Sequence, residues 1–481
     1  MLSGCDAEFT TGGDVLGAYG TVTEEKKEDK SYLLTSLNML YYSDMDGNPA
    51  TTNCLANHEL LKFVYSPLIT VNAGFEPICI LAESYTRDAN KVTVKIKSGL
   101  KFSNGEKVSA NDVIKSVNAV RYTPSSPYYS SASALYKYYK TDDLTVVFEF
   151  KTTDVDCVAM LDFPIMYNGK QGYGCGAYVF SEQNGKPVLV PNENYFEKAS
   201  VPVIHLIETK DDSYIDDLFS AGSLDIISSS LIEELSLTSL RDYNIVSCPS
   251  NKFIYLGINY RNEKFSNYEV TNAISTIIDR QKLAKQSLVD LASPTEYPFN
   301  PEWSKMKKVK DKAYTTATEK QIIAAAKVLK DIPITITVPA SGYKNNIAKA
   351  IKEYFKNAGI TITLKELEGA AYTAAITSVN FELYLGECAV PKNSDPTFLY
   401  SASGSMNYGG YYNAELDAKF AQYKTGEISL NDYLNEFSKS LPIIPIAFGK
   451  SVLYCAQGIA GFADRSAFNI YGNAARITLK K

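Results

Sequence analysis

The sequence predicts an α/β protein of two or three domains, and three observations carry that prediction. Residues 334–367, ITITVPASGYKNNIAKAIKEYFKNAGITITLKEL, read as strand, helix, Gly359 as helix terminator and second strand, a unit suited to a parallel crossover. Residues 90–122 begin with Val92, Val94 and Ile96 alternating against Lys91, Thr93, Lys95 and Lys97, the period of a half-buried strand, and pass into a helix. At 481 residues and 45% hydrophobic, the chain is too long for one core of ordinary size.

The clearest elements follow in order. After the strand at 91–97, Asn104-Gly105 supplies a turn. Ser109 then caps a helix with Asp112 at the third position, Val108 and Val113 have the spacing of a hydrophobic staple, and Val113, Ile114, Val117 and Val120 share a side. Further on, Val270, Ala273, Ile274, Ile277 and Ile278 form one apolar helical stripe. The paired acids Asp211-Asp212 and Asp216-Asp217 around Tyr214-Ile215 read as a solvated turn leading into a helix. Trp303, the single tryptophan, lies in the proline-bounded loop YPFNPEW, where it packs locally or faces a cleft.

Composition removes several functions. With a net charge of -6 the chain has no basic field for nucleic acid. No apolar run approaches the eighteen or so residues that span a bilayer. The eight cysteines, at 5, 54, 79, 157, 175, 248, 388 and 455, contain no CxxC pair, and the two histidines, His58 and His205, stand apart from any metal-ligand spacing. There is no GxSxG, HExxH or P-loop pattern, and GYGCG at 172–176 lacks the spacing of a dinucleotide fold. No hydrolase constellation is visible, so no enzyme and no cofactor are expected.

Leu2-Ser3-Gly4-Cys5 resembles the cleavage point of bacterial lipoprotein signal sequences. By that resemblance Cys5 carries a diacylglycerol. Residues 6–30, glycine- and threonine-rich with the charge run EEKKEDK, form a solvated tether. The protein is then expected on the outer face of a cell membrane, held by its lipid anchor. Its lysine-rich composition hints at a Gram-positive host.

The run LAESYTRDANKVTVKIKSGLKFSNGEKVSANDVIKSVNAV (81–120) resembles the extracytoplasmic solute-binding proteins of peptide, dipeptide and nickel ABC importers, solute-binding protein family 5. GCGAYVF with LVPNENYF (174–196), FIYLGINYRNEKFSNYEVTNAISTIIDRQKLA (253–284) and SLPIIPIAFGKSVLYCAQGIAGF (440–462) are similar to later segments of that family, in order, although Ala177 replaces a usual proline. The resemblance implies a two-lobed periplasmic-binding-protein-like fold, type II and cluster C-like. Residues 1–30 would be lipobox remnant and tether. Residues 31–252 plus 449–481 would form the first lobe, with an accessory subdomain at 67–180, and 253–448 the second. Crossings are expected near Ser250 to Leu256 and Ile443 to Phe448.

It further implies a monomer that captures a peptide or other small polar solute by hinge closure and hands it to the transmembrane subunits of an ABC permease. A related non-peptide solute or a sensing role stays open. Peptides in this family are held by β-augmentation, on a strand that Gly386-Glu387-Cys388-Ala389 resembles. Val390 stands where peptide binders place the aspartate for a free α-amino group, and Glu387 where tryptophan is usual. Glu387 is then the substitute acid, or the solute has no free amine. Asn259, Tyr408, Tyr411 and Trp303 complete the expected ligand contacts, with Tyr412 beside them.

Overall fold

A computed structural model describes residues 35–480 except 44–46, 210–211, 229–242, 289, 310–313 and 467. Cys5, the tether and Asp211 lie outside the described residues.

One eleven-stranded sheet runs through the molecule. Ten strands lie in the order Ile362–Leu367, Ile334–Pro339, Leu383–Ala389, Tyr243–Ile258, Ile444–Ala456, Ile226–Ser228, Leu37–Tyr41, Ile204–Glu208, Lys186–Pro191 and Tyr178–Gln183; Ala292–Pro294 pairs with Ile444–Ala456 off this path. Two long antiparallel neighbours, Tyr243–Ile258 and Ile444–Ala456, belong to both halves of the sheet. The core divides where they cross. One apolar cluster draws on residues 37–206, 226 and 453–477, and another on residues 253–448. The fold is the expected two-lobed type II architecture, with one sheet serving both lobes through its two central strands.

At the crossing the register shifts between Pro249 and Phe253, a bulge that bends the strand pair. Side chains tie the bulge down: Ser250 Oγ donates to the Gly449 carbonyl (2.8 Å), and Asn300 Nδ2 donates to the Ser250 carbonyl (2.7 Å).

The strand Lys91–Ile96 buries Val92, Val94 and Ile96, as its alternation requires. It lies in a separate four-stranded sheet with Ala82–Asp88, Thr145–Phe150 and Leu135–Asp142. The helix Ala110–Arg121 is capped as its sequence predicts, with the Ser109 N–H donating to Asp112 Oδ2 at 3.1 Å. The small sheet's buried side chains join the first lobe's cluster rather than forming a core of their own. In the second lobe, Ile334–Pro339 and Ile362–Leu367 pair in parallel around the helix Gly342–Asn357. Gly359, at φ +80°, ends that helix.

Candidate functional site between the lobes

The strand Leu383–Ala389 brings Gly386, Glu387, Cys388 and Ala389 to the crossing. It pairs along its whole length with Lys252–Ile258, whereas its parallel neighbour Ile334–Pro339 meets it only at Leu383 and Tyr384. Residues 385–389 therefore run on past that neighbour toward the junction of the lobes. Val390 continues the ladder, its N–H donating to the Asn251 carbonyl (2.9 Å) and its carbonyl accepting from Asn251 Nδ2 (2.8 Å).

Gly386 has a packing reason as well as a position. It lies opposite Tyr255, and Gly257 lies opposite Tyr384. A Cβ on Gly386 would come within 2.5 Å of the Tyr255 ring, and one on Gly257 within 2.0 Å of the Tyr384 ring. Each glycine makes room for the tyrosine across from it, and the two hydroxyls meet at 3.1 Å. Because Tyr255 is wholly buried it cannot swing away. Gly386→Ala should therefore destabilise the second lobe by about 1–3 kcal/mol, measured by urea unfolding, and the Gly386→Ala/Tyr255→Leu pair should recover part of that loss. Burial pushes the neighbouring Cys388 thiol up to about 12, with Glu387 adding to the shift, so at neutral pH it is a thiol and not a nucleophile.

Val390 lines a small, mainly apolar space. With Phe75 of the first lobe and Phe299, Trp303 and Phe448, it lines a residual space of about 10 Å³. Trp303 is buried and stacked on Phe299, centroids 5.5 Å apart. An ammonium group brought to position 390 would meet this aromatic surface with Asn251, Asn300 and Ser394 at its edge, and no acid.

The remaining expected contacts lie elsewhere. Asn259 ends the crossing strand's run through the second lobe, eight residues beyond Asn251, or about 26 Å of extended chain. Its side chain serves the backbone, donating to the Phe381 carbonyl (2.9 Å) and accepting from the Arg261 N–H (3.1 Å). Tyr408 packs near Tyr384, and Tyr411 packs edge-on against Tyr260 at 4.7 Å. Gly409 lies against the Ile258 carbonyl, which fixes this loop at the same far end. The structure thus gathers Gly386 to Val390 with Trp303, and does not bring Asn259, Tyr408 and Tyr411 to them.

Sequence reasoning missed an ionic junction that joins the lobes. On the first-lobe side stand Asp154, Asp156 and Asp162, in the segment after the strand Thr145–Phe150; on the second-lobe side stand Lys305, Lys392, Asn393, Tyr423 and Lys424. Lys424 Nζ meets Asp154 Oδ1 at 2.7 Å and Asp156 Oδ2 at 3.4 Å, and donates to the Asn393 carbonyl (2.7 Å). Asn393 Nδ2 donates to Asp154 Oδ2 (2.7 Å), the Tyr423 hydroxyl donates to Asp156 Oδ2 (3.0 Å), and the Val155 N–H donates to the Lys424 carbonyl (2.9 Å). Lys305 pairs with Asp156, and Lys392 pairs with Asp162. Burial alone would lower the Lys424 pKa, but Asp156 and Asp154 outweigh it and hold the ammonium above its ordinary range.

Behind this junction, in the first lobe, lies a cavity of about 300 Å³. Its walls include His58, Lys62, Tyr128, Asp162, Phe196 and Phe468. Lys392 of the second lobe touches that wall, its ammonium 4.9 Å from the Tyr128 ring centre and 5.4 Å from that of Phe468. This space is at the low end of small-molecule site volumes; a larger and more open one, of about 750 Å³, lies at the junction against Val155, Lys305, Tyr423 and Leu430.

Beneath the cavity the helix Leu55–Leu61 presents His58 and Glu59, followed by Lys62. Glu59 pairs with Lys62, lies 3.5 Å from His58 Nδ1 and accepts from the Ile470 N–H (3.3 Å). Burial works against the Glu59 carboxylate, yet Lys62 and His58 together pull it down to about 2. A depressed carboxyl pKa stabilises the fold above the ordinary value of 4.5, and that contribution is lost as pH falls toward about 2. Glu59→Gln should be less stable than the parent at pH 7. Acid titration of the urea midpoint should show that gap closing between pH 4.5 and about 2, whereas a gap independent of pH would contradict the pairing.

Two α/β lobes on one pair of crossing strands, with an ionic junction between them, have the architecture of a two-lobed solute receptor. The chain belongs to the bacterial extracellular solute-binding proteins, family 5, whose model matches residues 76–410. These are receptors and not catalysts. The oligopeptide-binding protein AppA of Bacillus subtilis strain 168 is 24% identical over 427 residues, covering 77% of this chain and 78% of that protein. The crystal structure of the ABC transporter substrate-binding protein CtaP of Listeria monocytogenes superposes with a TM-score of 0.73 at 21% identity, over 93% of this chain and 99% of that one. NikZ of Campylobacter jejuni, solved with Ni(L-His), does so at 0.63 and 17%, over 92% and 99%. The relatives span both Gram types, so lysine content does not assign the host.

Proposed function

We propose that this chain captures a peptide between its lobes and delivers it to an ABC permease. The observation that carries the reading is the strand Leu383–Ala389, which outruns its parallel neighbour at Tyr384 and reaches the lobe junction beside the crossing strand. An extended solute laid along that run would be held by main-chain hydrogen bonds, which are indifferent to side chains. Its likeness to an oligopeptide-binding protein over three-quarters of its length supports the same class. Closure then follows from geometry: the bulge at Pro249 to Phe253 bends, and the lysines of the second lobe meet the aspartates of the first. Cys5 is the lipid attachment point that keeps the receptor near its permease, which metabolic labelling with an alkyne fatty acid would test, the label being lost in Cys5→Ser.

The solute reading is tested by mass spectrometry of the small molecules released when freshly purified protein is denatured. A ladder of short peptides is expected. A single non-peptide species would overturn the peptide reading and leave the family assignment intact.

A further inference from the structure

Past Val390 the chain turns, the Ser394 N–H donating to the Pro391 carbonyl (2.8 Å), and the turn sends Lys392 of the second lobe into the first. Its ammonium pairs with Asp162 and lies over two aromatic faces, 4.9 Å from the Tyr128 ring centre and 5.4 Å from that of Phe468. Asp162, Tyr128 and Phe468 all line the first-lobe cavity of about 300 Å³, whereas Lys392 stands outside it. The lysine therefore braces the outer side of that wall, just beyond the end of the ladder at Val390.

Phe468 is the part of the wall that faces both ways. Its ring meets Phe75 edge-on, centroids 6.3 Å apart, and Phe75 lines the small space at Val390. Phe75 and Phe468 thus stand in series between that space and the cavity. The backbone that carries Phe468 is pinned: Lys62 Nζ donates to its carbonyl (2.6 Å), its N–H donates to Ser466 Oγ (3.3 Å), and the Ile470 N–H donates to Glu59 Oε2 (3.3 Å). The cavity behind it carries both signs of charge, Lys62, Lys97 and Arg476 against Asp162, Glu197 and Asp464, so it has no field that selects one kind of ion. What it offers a solute is room, and Phe468 closes that room off from the strand.

We propose that Phe468, braced by Lys392, is the stop that ends the solute run along Leu383–Ala389 and so sets the longest solute the receptor accepts. The inference rests on the peptide reading and adds to it a limit on length, imposed by exclusion and not by a new attraction. A cube of 300 Å³ is about 6.7 Å on a side, the reach of about two residues of extended chain at about 3.3 Å each. Removing the ring should therefore lengthen the accepted solute by about two residues.

The test offers the whole chain one equimolar mixture of glycine–alanine peptides, from dipeptide to decapeptide, and reads by native mass spectrometry which lengths are retained. The parent should show an upper limit, past which retention falls about tenfold or more. Phe468→Ala should raise that limit by about two residues and leave shorter peptides within about threefold of the parent. Phe468→Leu, the milder replacement, should raise it by about one. Phe196 lines the same cavity but packs on Tyr195 and Lys97, so Phe196→Ala should keep the parent's limit. Retention by the parent that does not fall with length overturns the proposal while sparing the peptide reading, and needs no variant to fold. A limit unmoved in both Phe468 variants, or moved equally in Phe196→Ala, also overturns it. If the parent retains no peptide of any length, the peptide reading has failed and this proposal with it.

Discussion

Lys424→Met should weaken solute binding by roughly two orders of magnitude while moving the thermal midpoint little. The ammonium of Lys424 is the centre of the interlobe junction, shared between Asp154 and Asp156 and bonded to the Asn393 carbonyl. Removing one partner of a buried charge pair costs about 3–5 kcal/mol, because the other is left desolvated. Here the lower figure applies, since Asp156 keeps Lys305 and Tyr423, and Asp154 keeps Asn393. About 3 kcal/mol taken from the closed arrangement is about a hundredfold in affinity. With the lobes apart the loss is limited to the bond with the Asn393 carbonyl inside the second lobe, as the lobes fold on separate apolar clusters. Calorimetry and differential scanning measured side by side check this. An unchanged affinity with a lowered midpoint would assign Lys424 to folding and not to closure.

Arg280→Met should cost the second lobe about 3–5 kcal/mol in urea unfolding, the largest stability loss expected of any side-chain replacement here. Arg280 is 2% exposed and ties the second crossing strand to a helix end. Its Nε donates to the Pro445 carbonyl on the second crossing strand (2.7 Å), and Nη1 donates to the Ser275 carbonyl (2.9 Å) at the end of the helix Tyr268–Ile277. Nη2 donates to Ser275 Oγ (2.7 Å). The guanidinium thus satisfies helix-end carbonyls and spans the shift in register beside Pro445. Methionine fills the space but strands those acceptors. Lysine, a point charge without the planar fork, should recover less than half of the loss. A cost under 1 kcal/mol would mean that water replaces the guanidinium at no penalty.

The fold was legible wherever a local rule decided the structure. The alternation of Val92, Val94 and Ile96, the Ser109 and Asp112 cap, the stripe from Val270 to Ile278 and the Gly359 terminator each rest on neighbours within a few residues, and each element formed accordingly. The unusual valine at 390 could also be read from sequence, but its surroundings could not. Phe75, Phe299 and Phe448 reach it from distant parts of the chain. The ionic junction was illegible for the same reason. Its aspartates fall within nine residues, while its lysines at 305, 392 and 424 sit on unrelated elements with no shared period. Tyr408 and Tyr411, expected as ligand contacts, also suit packing, because the chemistry of a tyrosine is the same in both. What separates them from the junction is the length of the strand Tyr243–Ile258, a tertiary fact.

The measurement that bears most directly on the central claim is hydrogen–deuterium exchange of the whole chain, with and without a pool of free-amine peptides. Capture between the lobes predicts added protection in two segments far apart in sequence, 385–393 along the second-lobe strand and 154–163 on the first-lobe side of the junction. Protection confined to one lobe, or none in either segment despite measured binding, would contradict closure over the solute at this junction.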